Sequence, residues 1–328
     1  MWVRLKVRKN VEIQGKMKAF SPGDWIDVGK QTALQWIAAG EAQGDPARNK
    51  LVRRQADYTA GELAFTLFAV PMAFRADKDV KQRNALTSWT LLEPPPQVVL
   101  FGNEQGIADV AAEMEFIHLP RIERNGQGTP IVSDAFHQMG RLAAPSEVVC
   151  YVNSDIILLQ DWADALVKVS GEFERFLMIG QRWDVNLDRP LLFREGWDKR
   201  LRHLVANQGE LHGKGAIDYF AHRPGLYDQV PPFAIGRSAW DNWLVGHALD
   251  AGVEVVDASN SATVVHQDRR GPPGAAEPIL TDARLRERAC NRALYDADRD
   301  RHGFTGKVSE APWVMNAAGE IVERSKVQ

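Results

Sequence analysis

Val148-Val-Cys-Tyr-Val-Asn-Ser-Asp155 decides the reading of this chain: five uncharged, mostly β-branched or apolar residues, then a short polar cluster ending in a carboxylate. A run of that kind is a buried strand, and its polar end is where the strand leaves the sheet. A carboxylate at the carboxyl edge of a central strand is placed to hold a hard divalent cation that also grips a diphosphate. The competing reading makes Asp155 a cap on the next turn, a role Asp commonly fills.

The text on either side repeats the same alternation. Strands are predicted at 65–72, 97–101, 115–119, 147–152 and 176–180, and helices at 81–92, 106–114, 132–142 and 160–170. Strands separated by helices of this length imply an α/β fold with a mainly parallel sheet flanked by helices. Ligands of such sheets bind beyond the carboxyl ends of the strands. That rule selects Pro71-Met-Ala-Phe74, Gly102-Asn-Glu104 and Asn153-Ser-Asp155, and a nucleotide held there would meet Pro71, Ala73, Phe74, Arg75, Asn103, Glu104, Asn153 and Ser154. Glu104 is expected to accept hydrogen bonds from a ribose or a base N–H.

Further out, residues 181–235 read as an irregular segment rich in Trp, Arg, Gly and Pro, typical of a substrate-binding loop. A helix over 240–251, short strands at 253–257 and 263–265, a break at Gly271-Pro-Pro-Gly274 and a charged helix over 281–297 follow. Upstream, Val3, Leu5 and Val7 alternate with Arg4, Lys6 and Arg8, which is strand patterning rather than a secretory signal. With strands at 11–13 and 25–28 and a helix at 31–39, a small β-rich module emerges. The expected organisation is a module at 1–45, a linker at 46–62, the α/β domain at 63–270 and a helical extension or lid at 271–328.

Composition narrows the classes. The 328 residues are 45% hydrophobic and 25% charged with net charge −3, ordinary for a globular protein and unlike a disordered one. Residues 1–60 carry 11 Lys/Arg against 6 Asp/Glu, so the remainder is acidic, which argues against a dedicated nucleic-acid binder. The two cysteines, Cys150 and Cys290, cannot build a disulfide framework or a Cys-rich zinc site, and a reducing, cytoplasmic setting is expected. The apolar stretch 63–74 is far short of the roughly 20 residues of a membrane span.

Three further sites carry candidate chemistry. Thr263-Val-Val-His-Gln267 ends a strand with His266; alone such a histidine is structural, but paired with Asp155 it makes a mixed carboxylate–imidazole metal site suited to Mn²⁺ or Mg²⁺. Asp241 opens a helix between Trp240 and Trp243, so it is either a dipole-stabilised helix acid or a general base beside aromatic walls that stack on a sugar. Arg237 reads as a phosphate ligand or a surface salt bridge, and Gly213-Lys-Gly215 places Lys214 where it can meet a diphosphate, with Asp218 as a second acid nearby.

Leu100-Phe-Gly-Asn-Glu104, Tyr151-Val-Asn-Ser-Asp155, Asp218-Tyr-Phe220, Phe233-Ala-Ile-Gly-Arg237, Trp240-Asp-Asn-Trp243 and Val265-His-Gln267 together resemble the GT-A-type, glycosyltransferase-family-2-like proteins over residues 63–320. The resemblance implies a metal-dependent transfer of a sugar from a nucleotide-diphosphate sugar, UDP-sugars favoured, to a hydroxyl acceptor. It implies Asp155 and His266 as metal ligands, with Asp241 catalytic as the general base or the acceptor-orienting group and Asp218, Trp240, Trp243, Arg237 and Lys214 around the substrate. Asn153 stands where the family's D-x-D motif has its first acid, and Asp268-Arg-Arg270 stands where a second His is expected. Residues 11–42 resemble small modules of tailed-phage proteins, which implies a bacteriophage origin, the bacterial host cytoplasm as location, and a virion protein, modified DNA or a glycan as acceptor. A nucleic acid enters only in that last role, and no membrane partner is expected. Two other classes compete. A nucleotidyltransferase needs a Gly-rich phosphate loop that Val70-Pro-Met-Ala-Phe-Arg75 lacks, and a non-catalytic carbohydrate-binding or virion-associated protein would not need Asp155, Asp241 and His266 together.

Overall fold

The computed structural model describes residues 1–13, 16–44, 63–144, 147–268 and 281–326. The expected linker at 46–62, the break at 271–274 and the Arg-Arg pair at 269–270 lie outside them. The first elements are β1 (Trp2–Leu5), β2 (Lys9–Ile13), β3 (Lys16–Phe20), β4 (Trp25–Asp27), α1 (Lys30–Ala38) and β5 (Ala42–Gly44). Strands β4, β1 and β5 make a three-stranded antiparallel sheet, and β2 pairs with β3 as a hairpin. Val3, Leu5 and Ile26 bury against Ala33 and Ile37, as the alternation of β1 requires.

The α/β portion runs β6 (Phe65–Ala69), α2 (Ala76–Thr90), β7 (Gln97–Phe101), α3 (Ile107–Glu113), β8 (Ile117–Leu119), α4 (Val132–Leu142), β9 (Val148–Val152), β10 (Ile156–Leu158), α5 (Gln160–Glu172) and β11 (Phe176–Ile179). It continues through β12 (Trp183–Asp184), α6 (Trp197–Gln208), β13 (Glu210–Leu211), β14 (Tyr219–His222), α7 (Trp240–Asp250), β15 (Glu254–Asp257), β16 (Val264–His266), α8 (Asp282–His302), β17 (Trp313–Met315) and β18 (Ile321–Glu323). Nine strands form the main sheet in the order β18-β17-β15-β11-β14-β9-β6-β7-β8. All neighbours are parallel except β14, antiparallel to β9 and β11, and the terminal pair β17–β18. A second sheet, β10-β16-β12-β13, begins with the strand that follows the carboxyl end of β9. The mainly parallel α/β architecture expected from the sequence is the one observed.

Each central strand is buried along its whole length, and the sheet separates two cores. One holds Phe65, Leu67, Cys150, Val152, Trp162 and Met178; the other holds Phe68, Phe101, Tyr151, Leu177, Phe220 and Trp240. Two expectations are corrected. Residues 181–235 contain a 12-residue helix, α6, and the central strand β14 rather than an irregular loop. The C-terminal residues add β17 and β18 to the main sheet as well as the helix α8, because Val314 and Met315 bury beside β15.

Candidate active site

Asn153-Ser-Asp155 leaves the carboxyl end of β9 and turns at once into β10, which pairs antiparallel with β16 so that Ile156 faces His266. That register brings Asp155 and His266 together from positions 111 residues apart: Asp155 Oδ2 lies 3.7 Å from His266 Nε2, beyond hydrogen-bond range. Gln267, fully buried, fixes the approach by donating to the carbonyls of Asp155 at 2.8 Å and Lys81 at 2.7 Å. His266 Nδ1 is engaged by Asp184 Oδ1 at 3.1 Å and the Asp268 carbonyl at 3.0 Å.

Asp184 is the hub that the sequence did not reveal. It sits at the end of β12, parallel to β16, so its register partner is His266. Besides His266 it accepts from His212 Nδ1 and from Arg182 Nε at 2.9 Å. Burial works to raise its pKa, but the hydrogen bonds of His212 and His266 and the charge of Arg182 outweigh it and hold Asp184 far below the usual carboxylate range. Burial likewise opposes a charge on His266, and Asp155 and Asp184 outweigh it, lifting His266 to about 9. Asp155 is lowered despite its desolvation, by the same imidazole.

Arg182 carries the network onward by pairing with Asp218. Since β14 runs opposite to β9, the residue before its start lies at the same edge as the residue after the end of β9. Asn153 therefore meets Asp218: its amide N–H donates to the Asp218 carbonyl at 2.9 Å and its side chain donates to Oδ1 at 2.5 Å. Tyr151 OH donates to Asn153 Oδ1 at 3.0 Å. Asn153, in the position of the expected first acid, is an amide that holds Asp218.

Asp241 lies in the first turn of α7, near Ile217 and Asp218. Its Oδ1 is enclosed and has no hydrogen-bond partner among the described residues. Desolvation, aided by the Asp218 charge and opposed by the amides of Asn242, Asp241 and Ile217, pushes its pKa up to about 6. Asn242 pins the helix start, donating to the carbonyls of Gly215 and Gly306 at 3.0 Å each. Gly306, at φ +65°, approaches the Asn242 backbone so closely that no Cβ fits there.

The other predicted residues separate into two groups. Ser154 is joined to the loop after β6 through buried Gln82, which accepts from Ser154 Oγ and the Met72 amide at 2.8 Å each. Pro71 and Phe74 are buried, Ala73 is half-buried and Arg75 is exposed; the Phe74 amide donates to Gln105, which ties this loop to Asn103-Glu104. Glu104 is already paired with Arg124 at 2.7 Å, and Arg124 also reaches Asn103 at 3.3 Å, although Glu104 Oε2 lacks a partner among the described residues. Trp240 and Trp243 are corrected from open sugar platforms to core residues. They are 5% and 4% exposed; Trp240 packs on Tyr151 and Phe220, and Trp243 stacks on His247. Arg237 is a structural ion pair, held by Glu287 of α8 at 2.6 Å, so its expected phosphate role is replaced by the salt bridge. Lys214 lies in an exposed turn whose carbonyl accepts from Val308 at 3.0 Å.

Sequence reasoning missed Arg182, Asp184, His212, Arg124 and Gln82. For Arg182 and Asp184 a signal existed, because they directly follow the carboxyl end of β11. His212 stands alone in a polar stretch and carries none.

No protein-family model matches the chain, and no curated protein sequence matches it. Among solved structures it is similar to S. aureus TarS in complex with UDP-GlcNAc, at 12% identity over 73% of this chain and 72% of that one, TM-score 0.44. It is also similar to Mycobacterium tuberculosis glucosyl-3-phosphoglycerate synthase in complex with Mg²⁺ and UDP, at 14% identity over 85% of each chain, TM-score 0.41. A third is GalNAc-T7 with UDP, GalNAc and Mn²⁺, at 12% identity over 83% of this chain and 55% of that one, TM-score 0.43.

Proposed function

We propose that the protein is a metal-dependent glycosyltransferase that moves a sugar from a nucleotide-diphosphate sugar to a hydroxyl acceptor. The observation that carries this reading is the convergence of Asp155, His266 and Asp218 at one sheet edge through a single polar network, with Asp241 close enough to Asp218 to feel its charge. Of these, Asp155 is lowered while His266 and Asp241 are raised, which supports a site built for charge and proton handling rather than for stability alone.

Asp155 and His266 fit a divalent cation. Asp184 and the Asp268 carbonyl occupy Nδ1, which leaves Nε2 facing Asp155. This is the carboxylate–histidine arrangement that orients a metal-ligating imidazole. His266 gives up its Nε2 proton when it ligates. Among the described residues no group of three or more His, Cys, Asp or Glu surrounds one metal position, so Asp155 and His266 would hold the ion and leave its other positions to diphosphate oxygens and water. A bound Mn²⁺ or Mg²⁺ neutralises charge on the departing diphosphate.

Asp241 takes the proton of the acceptor hydroxyl as its oxygen bonds to the anomeric carbon and the bond to the diphosphate breaks. A pKa of about 6 leaves Asp241 largely ionised near neutral pH yet basic enough to accept that proton. One acid in this role suits inversion. Asn153 and Arg182 hold Asp218 beside it as an acceptor for sugar hydroxyls. The loops 71–75 and 103–104 bind the base and ribose, with Arg124 setting the orientation of Glu104. The test is a screen of nucleotide sugars, UDP-sugars first, for Mn²⁺-dependent hydrolysis. Release of the nucleoside diphosphate by wild type but not by Asp155→Ala supports the reading; a protein inert toward every donor is a binding module instead.

A further inference from the structure

Residues adjacent along β12 point to opposite faces of the small sheet. Asp184 turns toward His266, whereas Trp183 turns the other way, opposite Leu211 in the register of β13. On that face lies a cleft of about 610 Å³, within the roughly 300–1,000 Å³ of small-molecule sites.

Its chemistry is specific. Asp161 Oδ2 accepts from Arg202 Nη1 and Thr263 Oγ at 2.7 Å each, while its Oδ1 is buried with no hydrogen-bond partner among the described residues. Half-buried Trp183 and the exposed Leu211 supply an apolar wall, and exposed Asn260 an amide on the rim. Asp161 and Asp164 are matched in the lining by Lys168 and Arg202, so the cleft carries no net charge. That balance disfavours an anion. An aromatic wall beside carboxylate, guanidinium and amide groups matches a ligand with apolar ring faces and a rim of hydroxyls.

We propose that this cleft binds a neutral saccharide, as a site separate from the Asp155–His266 centre. The assignment rests on the cleft's own lining and stands whether or not the transferase reading holds.

The experiment is calorimetric titration of the full chain, without nucleotide, with four neutral tetrasaccharides built from glucose, galactose, mannose or N-acetylglucosamine. At least one is expected to bind. Trp183→Ala and Asn260→Ala should each weaken that binding by tenfold or more, Trp183→Phe should retain most of it, and Asp155→Ala should leave it unchanged. Because Trp183 also packs against the small core that contains Val185 and Leu201, its variants are compared at matched melting temperature, and the exposed Asn260 supplies the independent arm. Absence of binding by all four sugars overturns the proposal, as does binding that survives both Trp183→Ala and Asn260→Ala. Binding abolished by Asp155→Ala assigns the sugar to the other centre and overturns it too. Failure of the donor screen leaves this result untouched, and the reverse also holds.

Discussion

Asp241 is the residue on which the proposed chemistry turns, and its burial gives it two separable signatures. As a base it must be ionised, so the transfer rate of wild type should rise with pH and level off above about 6. Asp241→Asn keeps size and helix-start geometry and should lower transfer by roughly two to four orders of magnitude while UDP binding persists. The second signature is in stability. An unfolded Asp titrates near 3.8 and the folded one near 6, so the folded state binds more protons between those values. The stability contributed by Asp241 is therefore lost as pH rises through that window, and the melting temperature of Asp241→Asn should gain on wild type from pH 4 to pH 7. A constant gap would mean that the carboxyl is not desolvated. Asp184 makes a different kind of prediction, since it acts by orienting His266. Asp184→Asn should weaken Mn²⁺ binding, measured by calorimetry with UDP present, by about 10- to 100-fold. An unchanged affinity would reduce Asp184 to a structural ion-pair partner.

At the scale of elements, α8 clamps the segment before α7. Buried Asn291 donates to the Ala234 carbonyl at 3.0 Å and accepts from its amide at 2.9 Å, as a neighbouring strand would. Asn291→Ala leaves both groups buried and unpaired and should cost about 1–3 kcal/mol, read as a shift in the denaturant midpoint. The sequence makes the β-α alternation from β6 to β11 legible because the strands are short apolar runs separated by longer, more polar segments, of which α4 and α5 are clearly amphipathic. It hides β14, whose four residues Tyr219–His222 include a histidine and follow a glycine-rich turn. It hides α6 because Trp197–Gln208 is mostly polar and buries only Leu201 and Val205. Asp155, His266 and Asp241 are legible as acids and an imidazole at strand ends and a helix start. Their coupling is not, since it depends on the antiparallel β10–β16 register and on Arg182. Trp240 and Trp243 mislead for the opposite reason: paired aromatics at a helix start read alike whether they face a sugar or the core.

At the scale of the molecule, the N-terminal elements are not a separate bead. Leu34 and Ala38 of α1 belong to the same core as Phe136 and Met139 of α4, Gln31 donates to the His118 carbonyl, and Arg141 donates to that of Ala38. Module and α/β body should unfold in one calorimetric transition, and Leu34→Ala should lower it as a whole, at a cost of about 2–5 kcal/mol. Two transitions, with only the smaller one moved, would contradict that continuity. No helix among the described residues is long and apolar enough to cross a membrane. The proposed function joins these scales: two side chains brought together by a strand register would hold a cation whose role is to bind a diphosphate. Its most direct measurement is the affinity for UDP with and without Mn²⁺, by calorimetry, in wild type and in Asp155→Ala. Mn²⁺ should tighten UDP binding at least tenfold in wild type, bind only weakly by itself, and have no effect on UDP binding in the variant. Equal UDP affinity with and without the ion in wild type, or an equal effect of the ion in both proteins, would contradict the account.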